Sequence, residues 1–269
     1  MPLITTIFES AFSQSVLHDV LISTVSGLLV YLATALLHLR LPDFSVRVFW
    51  KGYARRLAVV TSEVRKAGVE PPMRPGATPV RLMNVGEAMA AGELGHFFRS
   101  RCHCNPPVVS VRTSPDFDRI TDRNLLLIGG PKDNLATRLF LQEIAPDLYY
   151  QFKRLLPGME GRVPERDLKV LVGRSADYPD LTYDYQQAIQ YATVIFRKGL
   201  YADGKDVLCI AGLGNTATFA AVDWILERPA SFWLRVSRQP KGFQAVIRCR
   251  ALDQAKAAKV ELVFVGEMR

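Results

Sequence analysis

The hydrophobic and polar positions divide the chain into three stretches. From Val20 to Leu39 the sequence VLISTVSGLLVYLATALLHL holds no Asp, Glu, Lys or Arg. At 1.5 Å per residue, about twenty such residues cover roughly 30 Å of hydrocarbon, so this run predicts a membrane-spanning helix over 20–39. Next, Phe49, Trp50, Tyr53, Leu57, Val60 and Val64 recur at roughly helical spacing with basic residues between them. That pattern predicts a basic amphipathic helix, followed by the Pro-rich linker EPPMRPGATP. In the third stretch, strand-like apolar runs alternate with helical patterns. Strands are expected at Val80–Met83, PVVSVR, NLLLIGG, YYQFKR, LKVLVGR and DVLCIAGL, and helices at GEAMAAGELGHFF, DNLATRLFLQEIA and TATFAAVDWILER. The closing runs FQAVIRCRAL and KVELVFV lie close enough to form an antiparallel pair. The alternation predicts an α/β sandwich with a largely parallel central sheet.

Charge orients this scheme. The first 19 residues contain no Lys or Arg, whereas Arg40, Arg47, Lys51, Arg55, Arg56, Arg65 and Lys66 follow the apolar run. The positive-inside rule then sets residues 1–19 outside and places the protein in the inner membrane, with 40–76 as juxtamembrane helix and linker and 77–269 as a cytoplasmic domain. The absence of a basic segment before the run argues against a cleaved signal. Arg47, Lys51, Arg55 and Arg56 are expected either to meet anionic inner-leaflet lipid or to lie on a helix packed against the globular domain. The net charge of +8 raises nucleic acid as a partner, but a tether beside a membrane makes it the poorer explanation. Ser23 and Gly27 form a small-xxx-small pair that would favour a homo-oligomer, with a membrane protein as the other expected partner.

With 269 residues and near half of them hydrophobic, the chain can bury a substantial core. Its cysteines, Cys102, Cys104, Cys209 and Cys249, lack disulfide-framework spacing and read as core thiols. Cys102-His103-Cys104 has no second Cys/His pair to complete a zinc site, so no metal is expected. No Ser/His/Asp arrangement, HExxH motif or paired CxxC is present.

Two apolar strands end in glycines that lead straight into a helix, in LLLIGGPKDNLAT and VLCIAGLGNTAT. In an open parallel sheet, ligands bind at the carboxyl ends of strands, and helix N-termini there favour anions. Gly129, Gly130, Lys132, Asn134 and Thr137 on one turn, with Gly212, Gly214, Asn215, Thr216 and Thr218 on the other, are the expected walls of one pocket. Neither turn completes a dinucleotide or P-loop fingerprint. Tyr183, Asp184 and Tyr185 form the expected lip, where an aromatic stacks on a base and the Asp184 carboxylate accepts from a ribose hydroxyl; tyrosines on a strand edge also need no functional reason. Tight geometry and N-capping by Asp133, Asn134 or Thr216 explain the same residues without a ligand.

The series VGEAMAAGELGHFF, NLLLIGGPKDNLATRLFL, DYQQAIQYATVIF, VLCIAGLGNTATFAAVDWI and FQAVIRCRALDQAKAAKVELVFV resembles a Rossmann-like bacterial domain of unassigned function, over roughly residues 80 to 265. Here Asn215-Thr216-Ala217-Thr218 stands where that pattern usually has Gly-Thr. More loosely, the arrangement is similar to SLOG-type nucleotide-sensing domains. The resemblance implies an α/β Rossmann-like fold behind the membrane helix, and no activity; the paired glycine turns on a single-span tether lead to the expectation of a sensor that binds a nucleotide or related small molecule. A membrane scaffold binding a protein is the alternative. So is an enzyme cleaving a nucleotide N-glycosidic bond, with Asp133, Asp184 and Asp223 as candidate carboxylates; no cofactor is specified.

Overall fold

A computed structural model describes residues 18–32, 46–62, 85–153, 170–184, 186–201, 204–252 and 257–268. The chain forms two compact units, Met1–Phe44 and Ser45–Arg269. In the first, residues 18–32 form helix α1, exposed along its length. Fifteen residues rise only about 22 Å, short of the roughly 30 Å of a bilayer core. Among the described residues no helix is long and apolar enough to cross a membrane. This overturns the expected span over 20–39 and the inner-membrane placement with its N-terminus outside; residues 33–39 lie outside the described residues.

The second unit begins earlier than the sequence pattern predicts. A π-helical turn, Val46–Trp50, runs into α2, Lys51–Tyr53, and then into strand β1, Leu57–Thr61. The structure thus replaces the expected amphipathic helix with a short helix and a strand. Phe49, Trp50 and Tyr53 are buried, so these aromatics face the core. Phe49 stacks on Trp233 at 3.9 Å between ring centroids. Every residue of β1 is buried, as befits a strand covered on both faces. The linker and the strand expected at Val80–Met83 lie outside the described residues.

Helix α3, Val85–Phe97, continues as a π-helical turn, Phe98–Cys102, and leads to β2, Val108–Ser110. Then come α4, Ser114–Asp118, β3, Asn124–Ile128, and α5, Leu135–Glu143. Strands β4, Tyr150–Phe152, β5, Val170–Gly173, and β6, Leu181–Thr182, form a separate antiparallel sheet. The chain returns through β7, Ile189–Tyr201, β8, Lys205–Gly212, α6, Asn215–Leu226, and α7, Ala230–Ser237. It ends with β9, Gly242–Ala251, and β10, Ala257–Glu267.

The main sheet runs β10-β9-β7-β8-β3-β1-β2. Strands β2, β1, β3 and β8 are parallel, while β7 pairs antiparallel with both β8 and β9, and β9 with β10. This is an α/β fold with a mixed central sheet, consistent with a Rossmann-like arrangement. The antiparallel part is larger than the expected terminal pair because Tyr201 turns back to pair with Lys205. So short a connection leaves no room for a crossover helix.

Alternate residues of β3 face opposite layers. Leu126 and Ile128 pack with α2, α3, α6 and α7, and Leu125 and Leu127 pack with α4, α5 and the small sheet. After β1 the chain crosses through α3 on one face to β2; after β3, on the other side of β1, it leaves through α5 on the opposite face. The direction of winding therefore reverses between β1 and β3, the geometry that opens a crevice beyond the carboxyl ends of those strands.

Two buried polar groups fasten the layers. The Tyr53 hydroxyl donates to the Leu125 carbonyl and accepts from the Leu208 amide at 3.0 Å, and its burial holds the phenol well above its usual pKa. Gln244, fully buried, accepts from the amides of Tyr149 and Tyr150 at 2.8 and 3.1 Å and donates to the Tyr150 carbonyl at 2.8 Å, docking the small sheet. Tyr53→Phe removes a second partner of the Leu125 carbonyl and the Leu208 amide, which also face each other in the β3–β8 ladder, and we expect a loss of about 0.5–1.5 kcal/mol. Urea unfolding checks this; an unchanged midpoint would show that the 46–53 segment is not integral to the core.

Candidate functional site

At the β1/β3 reversal the chain buries a carboxyl group. Glu87, in the first turn of α3, is 3% exposed. Its Oε2 accepts from the Ser62 amide at 3.1 Å and from the Ser62 hydroxyl, tying α3 to the end of β1. Its Oε1 lies against Gly129, at the end of β3, where a Cβ would collide with it. Gly129 also has φ +106°, a conformation that L side chains rarely adopt. Next to Glu87, Gly86 abuts Asn215 so closely that a Cβ would meet the Asn215 carbonyl. The start of α3 is therefore wedged among the ends of β1 and β3 and the N-terminus of α6.

Burial is the main cause that pushes the Glu87 carboxyl up to about 7. The Ser62 hydroxyl and amide oppose that rise, and the charge of Asp133 adds to it. Burial thus moves its ionisation from the acid range toward neutrality.

The two glycine turns meet here. A Cβ on Gly130 would stand 3.2 Å from the Gly212 carbonyl oxygen, and the Gly129 amide donates to the Ile210 carbonyl at 3.0 Å. Several expected ligand residues spend their side chains on holding this edge together. Asn134 N-caps α5, accepting from the Thr137 amide at 3.2 Å, and donates to the carbonyls of Ile128 at 2.8 Å and Val60 at 3.3 Å. It thereby pins the ends of β1 and β3 together. Thr137 is buried beside Cys209. Thr218 accepts from the Gly212 amide at 3.1 Å and donates to the Gly214 carbonyl at 3.3 Å. Thr216 is buried, Asn215 is half-buried, and Lys132 is exposed on the first turn.

Gly214 is the N-cap residue of α6 and has no side chain to cap with. Gln190 of β7 does so instead, accepting from the Ala217 amide at 3.2 Å. The same side chain donates to the Tyr183 hydroxyl at 3.4 Å, which links the expected lip to the second turn. Asp184 serves its own turn, accepting from the amides of Gln186 and Gln187 at 2.8 and 2.9 Å. Asp223 lies eight residues, about 12 Å, along α6 from its start. Burial raises its carboxyl to about 6, with Glu93 and Glu227 adding to the rise.

Glu87, Ser62 and Gln190 are absent from the sequence-predicted site. The sequence signal for Glu87 is slight: a carboxylate after Gly86 at the head of an alanine-rich helix reads as an exposed first-turn residue. Among the described residues no group of three or more His, Cys, Asp or Glu is placed to hold a metal ion. No protein-family model matches the chain, and no curated protein matches it.

Because folding raises the Glu87 carboxyl, the folded state keeps a proton that the unfolded chain releases. That stabilisation is fully present below about pH 4.5 and is lost as pH rises through about 7; its size is on the order of 3 kcal/mol. Glu87→Gln keeps an acceptor for Ser62 without titrating. Urea unfolding from about pH 5 to 8 is expected to show wild-type stability falling with pH and the variant lacking that part of the slope; identical slopes would contradict the assignment.

Proposed function

We propose that the Ser45–Arg269 unit binds a nucleotide or related small molecule at the carboxyl edge of β1, β3 and β8, and acts as a sensor of that molecule. The observation that carries this reading is the convergence of two glycine turns on a buried carboxyl at the point where the sheet reverses its winding. Such reversals are the usual ligand sites of open α/β sheets, and a titratable group buried there is a common mark of function. The loose, fold-level similarity to nucleotide-sensing SLOG-type domains is in keeping with that ligand class. Fold likeness alone does not specify an activity, so the reading rests on the site.

A second reading, cleavage of a nucleotide N-glycosidic bond, gains one specific observation. Such chemistry needs a carboxyl able to give or take a proton near neutrality, and Glu87 is that group at the strand edge. It displaces Asp184, bonded within its own turn, and Asp223, which lies along α6.

A thermal-shift screen of the full chain against mono-, di- and cyclic nucleotides and nicotinamide cofactors tests the binding reading. A ligand at 100 times its Kd is expected to add about 2.7 kcal/mol of stability. Release of free base from the same ligands would favour the enzyme reading. A flat screen on folded protein would contradict both.

A further inference from the structure

Three separate segments of the chain carry basic residues and no Asp or Glu. They are residues 45–62, residues 94–115 and residues 228–241. The fold joins them through their aromatic rings. Trp50 of the first packs on Phe97 and Phe98 of the second, at 5.3 and 5.8 Å between ring centroids, and on Trp233 of the third at 5.1 Å. The rings turn inward, with Trp50, Phe98 and Trp233 fully buried, and the cations beside them turn outward. Lys51, Arg55 and Arg56 are exposed in the first segment, Arg99 and Arg101 in the second, and Arg235 and Arg238 in the third. Lys241 adds to the third segment but lies 3.9 Å from Asp147, which offsets its charge.

These cations share one edge of the sheet. Strand β7 is antiparallel to both β8 and β9, so β9 runs in the same direction as β1, β3 and β8, and the residues that precede β1 and β9 lie at the amino edge. Helix α3 starts over the carboxyl end of β1 and its end reaches the same edge, where the charge of Lys51 acts on the Cys102 thiol. The whole chain has a formal net charge of +8, and seven exposed cations are gathered here.

We propose that the amino edge of the sheet binds the phosphate backbone of a nucleic-acid duplex through exposed arginines drawn from all three segments. This is independent of the ligand site, which lies at the opposite edge. Seven exposed cations with no carboxylate in their own segments repel one another, and a polyanion relieves that repulsion. Six of the seven are arginines, whose planar guanidinium matches phosphate oxygens. The sequence argument that ranked nucleic acid below lipid rested on the expected span over 20–39, which is overturned. A helix seated on a bilayer puts its apolar and aromatic face into the headgroup region, whereas the Phe, Trp and Tyr described in these segments are buried or half-buried. For the same reason the bases of a single strand find no exposed ring to stack on, which leaves the duplex backbone as the partner that fits.

Fluorescence anisotropy of the full chain with a labelled mixed-sequence DNA duplex, an RNA duplex of the same sequence and vesicles of phosphatidylserine and phosphatidylcholine tests the proposal. Wild type is expected to bind duplex with an affinity that falls as salt rises, with a logarithmic slope of about −5 for some six phosphate contacts. Arg55→Gln/Arg99→Gln/Arg238→Gln, one exposed replacement per segment, is expected to make that slope shallower by about 2.7. Arg119→Gln/Arg250→Gln/Lys259→Gln removes the same charge from exposed positions outside the three segments and is expected to leave the slope unchanged. Failure to bind either duplex, an equal loss in the two variants, or binding to the vesicles in place of the duplexes overturns the proposal and leaves the ligand site at the carboxyl edge untouched.

Discussion

The bond between Glu87 and Ser62 is the constraint around which the carboxyl edge of the sheet is arranged. A buried carboxyl is costly unless its oxygens find partners or keep a proton, and both devices operate here. Ser62 is available because β1 ends at Thr61, and Glu87 reaches it because α3 begins directly over that end. The approach requires glycine on two sides: at Gly86, where the helix meets Asn215, and at Gly129, where the carboxyl meets β3. Any side chain at Gly129 would meet the carboxylate and a backbone conformation it does not favour.

Around that point the polar residues of the turns hold backbone. Asn134 joins β1 to β3, Thr218 closes the turn after β8, and Gln190 supplies from β7 the cap that Gly214 lacks. This division of labour matters for function. Fixed turns give the proposed ligand site a rigid frame, which would leave little ordering to be done on binding. Glu87 is then the titratable group at the centre of that frame. The antiparallel strand β7 contributes through Gln190, and the small sheet is fastened through Gln244; each glutamine couples an element of the mixed topology to a neighbouring one.

Much of the α/β pattern is legible in the sequence because strands such as NLLLI and DVLCIAG are apolar on both faces and bounded by turn residues. The glycine turns are legible too, and the structure brings them together. The element at Leu57–Thr61 is not, because Phe49, Trp50 and Tyr53 just before it fit a helical stripe that continues into Leu57 and Val60. What decides between helix and strand there is tertiary: both faces of β1 are covered. β7 goes unpredicted for a related reason, since Gln190 and Thr193 are buried polar residues whose partners lie on other elements. The apolar run at 20–39 fits a membrane span by composition, whereas the described helix covers only 18–32. Glu87 is the least legible of all, because a glutamate in the first turn of a helix is ordinary and only the fold turns it inward.

The measurement that bears most directly on this account is the titration of the Glu87 side-chain carboxyl in the folded protein, followed by carbon-13 NMR with Glu87→Gln to assign the resonance. The account predicts a midpoint of about 7. A midpoint in the ordinary glutamate range, near 4.3 for an unperturbed side chain, would mean that the carboxyl is solvated rather than buried at the strand edge, and the site built around it would not stand.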